Sequence, residues 1–169
     1  MTTEVRDARP PAAVIRVLNP IMRTVLPTPL GRLVKPFALL EFSGRRSGRR
    51  YRVPAGWHQT GGGPVVITPA AWRVNFADGT RASVRYRGHR LQMTGTLVTD
   101  PATVAETLQS MFDSGASPRN LGINMAEEHR ITASDVASLD RAMIRFRFVE
   151  DETPAQTPIP SPGSTHPPG

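Results

Sequence analysis

The 169-residue chain has no cysteine, which excludes disulfide staples and thiolate metal sites. Its four histidines, His58, His89, His129 and His166, are scattered without metal-ligand spacing, so no metal is expected. No stretch approaches the ~20 apolar residues of a membrane span, and the N-terminal residues lack a continuous apolar h-region; the expectation is a cytoplasmic protein. No G-x-G-x-x-G or Walker pattern occurs, which sets aside dinucleotide-binding and P-loop folds. No acid pair or Ser-His-Asp set points to hydrolysis. Lysine is almost missing too: only Lys35 stands among the arginines.

What is present is positive charge. The net charge is +7, from 21 Lys+Arg against 14 Asp+Glu. Residues 1–60 hold eleven basic residues and three acidic ones, Glu4, Asp7 and Glu41. A basic half calls for an anionic partner: phosphate, carboxylate, nucleic acid or lipid head group.

The patterning divides the chain. Residues 1–11 are polar, end in Pro10-Pro11 and are expected to be disordered. Residues 12–37 read as short amphipathic helices, one of them opening at Asn19-Pro20 and stopped by Pro27 and Pro29. Apolar residues on one face and arginine on the other suit either packing over the body of the protein or peripheral contact with an anionic membrane. From residue 38 the period changes to two. Strands are predicted at 38–42, 51–58, 64–68, 81–87, 90–98 and 143–149, with Pro54 suited to an edge or a bulge. "PAAWRVNFADGT" breaks the alternation and predicts a short helix or loop. Asp100-Pro101 opens a helix to about Phe112, and Ser134 is placed as the cap of a helix from Asp135 to about Ala142. "DSGASPRNLGIN" reads as loop. Residues 151–169 are rich in Pro, Thr and Ser and are expected to be disordered. Consecutive strands with tight turns predict a mainly β fold over 38–150, antiparallel and curled into a small barrel, with peripheral helices.

The chemistry concentrates in "FSGRRSGRRYRVPAGWH" (42–58), with five arginines at 45, 46, 49, 50 and 52. Gly44 and Gly48 bound a turn in which the backbone can take positive φ and approach a ligand closely. Successive backbone N–H groups there can form an anion nest, with Ser47 as a further donor and arginine forks for phosphate or carboxylate. A solvated basic turn fits the same residues. "RYRGHR" (85–90) is basic with an aromatic, but alternating arginines on a strand mark a solvated face. With no helix-turn-helix, zinc finger or RNA-binding aromatic motif, nucleic acid is not expected. His58, at the end of a strand, is either a surface histidine or a proton donor.

In order, "LLEFSGRRSGRRYRVPAGWH", a Gly-rich turn, "VVIT", "AWRVNF" and "VRYRGHRLQMTGTLVTDPATVAETL" resemble the deazaflavin-dependent nitroreductase and quinone reductase family, over roughly residues 14–149. The resemblance rests on G-R-x-S-G, a following strand with V-P, and W-x-x-N. It implies a split β-barrel of the kind found in flavin-binding pyridoxamine phosphate oxidases. It also implies the deazaflavin cofactor F420, with FMN as the alternative. Arg45, Arg46, Ser47 and Gly48 match the phosphate-and-tail turn, Val53 and Pro54 the strand behind the ring, and Trp72 and Asn75 the W-x-x-N motif. His58 would then lie beside the cofactor as proton donor.

The activity implied is hydride transfer from F420H2 to a quinone, enone or nitro compound, by a homodimer. Against that, only "PAA" separates Thr68 from Trp72, where many relatives carry a longer cofactor-holding loop, and the helix from 101 has no tyrosine. A split-barrel binding protein for a fatty acid, a flavin or a haem-like ligand, without turnover, is the alternative.

Overall fold

A computed structural model describes residues 5–7, 20–21, 23–25, 28, 37–126 and 128–149. Seven strands form one antiparallel sheet: β2 (Phe37–Ser43), β3 (Arg50–Gly56), β4 (His58–Thr60), β5 (Gly63–Thr68), β6 (Thr80–Tyr86), β7 (His89–Val98) and β9 (Ala142–Phe148). Their order is β3-β2-β6-β7-β9-β5-β4. β3 and β4 lie at opposite edges, yet Trp57 alone separates them in sequence. Two Cα steps bring the edges within about 7.6 Å at that corner. The sheet is therefore curled into a half-barrel. The predicted strand 51–58 is in fact two strands, broken at Trp57, because one continuous strand cannot pair at both edges.

Alternation decides what fills the barrel. Leu40, Phe42, Val84, Met93, Ile144 and Phe146 point inward with Trp57 and are buried. The 3-10 helix Ala71–Phe76 adds Phe76, which meets Phe42 edge-on at 4.7 Å between ring centroids. Gly95 makes room for this helix: a Cβ there would lie 2.7 Å from the Phe76 ring and 2.8 Å from Phe146.

On the outer face, Val65, Ile67 and Met143 pack under α1 (Pro101–Asp113) and α2 (Ala133–Ser138) through Leu108, Met111 and Val136. β5 and β9 are thus buried on both faces, which explains the unbroken apolar runs "PVVI" and "AMI".

Local signals account for the ends of these elements. Asp100 caps α1 by accepting from the Thr103 N–H at 2.9 Å, with Pro101 in the first turn. α2 starts earlier than predicted and is shorter. Its cap is Thr132, in a reciprocal capping box with Asp135, rather than Ser134, and Ala142 already belongs to β9. The β6–β7 turn is Arg87-Gly88, both at positive φ, one residue before the expected Gly88-His89. That conformation matches the twist of a two-residue hairpin. Pro54 sits in edge strand β3, which pairs only with β2, the position in a sheet where a residue without an N–H is tolerated.

Within the segment expected to be disordered, residues 5–7 are held. Strand β1 (Arg6–Asp7) pairs with β8 (Ile123–Asn124), inside the predicted loop. The buried Arg141 side chain explains why: its guanidinium donates to Leu121 O at 2.7 Å, Gly122 O at 2.8 Å and Asp7 Oδ1 at 3.2 Å. A buried cation needs such partners. In the 12–37 segment, Pro20, Ile21 and 23–25 are helical. Thr28 is a bend and Phe37, expected to end the helical segment, instead opens β2, while the other residues expected to form helices there, and the tail 151–169, lie outside the described residues. No described helix is long and apolar enough to cross a membrane.

Candidate functional site

The Gly44–Arg49 turn joins β2 to β3, whose ladder ends at Ser43↔Arg50. Gly48 adopts φ +63°, and a Cβ on Gly44 would lie 2.8 Å from both Ser47 Oγ and the Tyr51 ring. Both glycines are thus required by the turn itself. The turn consumes most of its own donors. Gly44 N–H donates to Arg49 O and Gly48 N–H to Gly44 O, each at 2.8 Å. Arg49 N–H donates to Ser47 Oγ at 3.3 Å, and Arg45 N–H to Asn75 Oδ1 at 3.0 Å. The Arg46 and Ser47 N–H groups, successive in the turn, have no acceptor among the described residues, so the expected nest narrows to that pair. The other N–H groups are spent on closing the hairpin or on Asn75.

The arginines divide in the same way. Arg45 forms an ion pair with Asp78, and Arg52 pairs with Glu41 at 3.0 Å. Arg46, Arg49 and Arg50 have no ion-pair partner among the described residues.

Asn75 ties the turn to the W-x-x-N helix. Its Nδ2 donates to Trp72 O at 2.8 Å while its Oδ1 holds Arg45. Its backbone O accepts from Thr80 Oγ1 at 2.5 Å. Both ends of the Asn75 amide are thus engaged by protein, and its role here is to position. Trp72 is half-buried, 5.9 Å from Phe42 and 6.1 Å from Phe76 between ring centroids. Tyr51 stacks on Phe42 at 5.2 Å.

Together Arg45, Arg46, Ser47, Tyr51, Trp72 and Asn75 wall a cleft of about 610 Å³, with Ala71 and Val74. Val74 is 56 % exposed, an apolar side chain turned outward beside the cations. Tyr51 reads in the sequence as either pocket-lining or packed, and nothing there marks Val74. Tyr51 was legible as an inward position on an alternating strand, whereas Val74 depends on the 3-10 geometry.

The remaining predicted site residues lie elsewhere. Gly48 shapes the turn without lining the cleft. Val53 faces inward against the barrel core, and Pro54 lies on the opposite face of β3, across from Leu39. His58, beyond the Trp57 corner, lines a separate cleft with Thr60, Ser110 and Ser114. Burial lowers its pKa from the ordinary 6.5, favouring the neutral imidazole. The indole N–H of neighbouring Trp57 is buried without a hydrogen-bond partner. No group of His, Asp and Glu among the described residues could hold a metal.

No protein-family model matches the chain, and no curated protein matches it either.

Proposed function

We propose that the chain is an F420H2-dependent reductase on a split β-barrel, acting on a quinone, enone or nitro compound. The observation that carries the reading is the joining of the Arg45–Ser47 turn to Trp72 and Asn75 around one cleft through the Arg45–Asn75 bond. The residues suit such a cofactor chemically. F420 combines a planar ring with a phosphate and a carboxylate tail, and this cleft combines an apolar wall (Tyr51, Trp72, Val74) with an uncommitted Arg46 and the Ser47 hydroxyl. FMN, with ring and phosphate but no glutamates, would satisfy fewer of the cations.

A reduced deazaflavin bound there would supply a hydride to the acceptor. The chain's own part is binding and orientation. Arg46 and Ser47 would hold the phosphate, Trp72 and Val74 would shield the ring from water, and Asn75 fixes the turn. His58 has no part in this cleft, with which its own shares no lining residue. That separation favours a second reading, in which the barrel binds its ligand without turning it over.

The reading carries with it a homodimer and a cytoplasmic or membrane-peripheral setting. Calorimetric titration with F420 and with FMN, followed by F420H2 oxidation with a quinone, an enone and a nitro acceptor in turn, tests it. F420 binding with turnover is expected. Binding without turnover for any of the three acceptor classes selects the binding protein. Failure to bind F420 overturns both the cofactor and the reductase.

A further inference from the structure

The outer face of β3, β2, β6 and β7 carries a second concentration of charge. Arg50, Arg52, Arg81, Arg85 and Arg90 line a cleft of about 430 Å³ in which Glu41 is the one acidic side chain. The register explains how they converge. Glu41 lies opposite Arg52 on one side and Ser83 on the other, and Ser83 lies opposite Gln92. This is the central row of the cleft. Arg85 and Arg90 lie directly opposite each other in the next row. Like charges in that position are destabilising.

Each of the two leans toward the central row instead. Arg85 Nε reaches Glu41 Oε2 at 3.3 Å, and Arg90 Nε donates to the buried Ser83 Oγ at 2.7 Å. Arg52 takes the other Glu41 oxygen at 3.0 Å. Glu41 is then shared by two arginines, while Arg50 and Arg81 have no ion-pair partner among the described residues. A solvated strand face has no need to place two arginines opposite each other, hold them on one carboxylate and one buried hydroxyl, and ring them with further cations.

We propose that this outer cleft is a binding site for a small polyanion carrying a diphosphate or triphosphate group. Guanidinium forks from three strands match the several oxygens of such a group. The enclosed volume suits a small molecule. Of the two aromatic rings lining the cleft, Phe42 is buried and Tyr51 stacks on it, which is short of the row of exposed rings that a nucleic-acid strand stacks on. The lining offers no exposed aliphatic side chain for insertion into a lipid surface. The site lies on the face of the sheet opposite the Trp72 wall and does not depend on the reductase reading.

The test is calorimetric titration of the full chain with inorganic pyrophosphate, alone and with saturating F420. Parallel arms use citrate, a single-stranded oligonucleotide and anionic phosphatidylglycerol vesicles. Pyrophosphate is expected to bind with an affinity that falls as salt rises, and to keep that affinity when F420 is saturating. Arg81→Gln and Arg90→Gln are each expected to weaken pyrophosphate about tenfold or more, while Arg119→Gln, in the 3-10 turn Pro118–Leu121 outside both clefts, leaves it unchanged. Equal pyrophosphate affinity in wild type and both variants overturns the site. So does displacement of pyrophosphate by F420, or tighter binding of citrate, oligonucleotide or vesicles than of pyrophosphate.

Discussion

The backbone N–H of Arg45 donates to Asn75 Oδ1 at 3.0 Å across 30 residues of sequence. It is the tie between the arginine turn and the wall that carries Trp72. Asn75→Ala removes the acceptor for Arg45 and the donor to Trp72 O together. Stability should fall by about 1 kcal/mol for each bond lost, and F420 affinity should fall with it as the turn loosens. Asn75→Asp keeps the acceptor and should retain most of the affinity. Chemical denaturation and calorimetry on both variants check this; equal affinity in the alanine variant would remove Asn75 from the site.

Arg46 lines the cleft and has no ion-pair partner among the described residues. Arg46→Ala should therefore cost a charge-assisted contact of about 1.5–3 kcal/mol, a loss of roughly tenfold to a hundredfold in F420 affinity. The melting temperature should barely move, since a solvated arginine contributes little to folding. Arg119, in the 3-10 turn Pro118–Leu121, is the control. Arg45→Ala should cost less affinity than Arg46→Ala, because Arg45 is already engaged by Asp78.

The elements that proved legible in the sequence are those whose signal is local. The Asp100-Pro101 start, the two-period strands and the glycine turn need only their own residues. The break at Trp57 was not legible, because it depends on which edge each half pairs with. The spent donors of the turn are a matter of closure geometry, not composition. Residues 5–7 read as a polar terminus because the acceptors that hold them answer to Arg141, more than 130 residues away. The outer cleft was visible only as alternating arginines; the register that sets Arg85 against Arg90 is a tertiary fact.

Gly95→Ala should be among the most damaging conservative changes in the barrel. The added methyl would meet the Phe76 and Phe146 rings at 2.7–2.8 Å, and both rings are fully buried. Neither can withdraw without disturbing the core, so a loss of about 1–3 kcal/mol is expected. Phe76 also anchors the helix bearing Trp72, so F420 affinity should drop in the same variant. A denaturation midpoint equal to wild type would show that the 3-10 helix moves freely.

The capping box of α2 gives a prediction at acid pH. Burial pushes the Asp135 carboxyl up, but hydrogen bonds from His129 and Thr132, with the His129 charge, outweigh it and hold it below the ordinary 3.8. The unfolded chain then takes up this proton first as pH falls, so the stabilisation is full above about 3.8 and is lost below it. Asp135→Asn should flatten that part of the stability curve. Thr132→Ala should cost about 1 kcal/mol at neutral pH through the lost cap.

His58 predicts the opposite end of the acid range. Burial lowers its pKa in the folded protein below the ordinary 6.5, and no carboxylate pairs with it among the described residues. Between the folded value and 6.5 the unfolded chain binds more protons than the folded one, so stability rises with pH across that window. The contribution is complete above about 6.5 and diminishes as pH falls toward the folded value. His58→Gln removes the titration while keeping a polar side chain in the cleft beside Ser110 and Ser114. Urea denaturation at about pH 7.5 and about pH 5.5 should show a smaller acid loss in the variant than in wild type. Parallel losses would mean that His58 is no less solvated when folded than when unfolded. F420 affinity at neutral pH should be the same in both proteins, because His58 opens on a different cleft from the arginine turn. A loss of F420 binding in His58→Gln would instead place the histidine at the cofactor and overturn the separation of the two clefts.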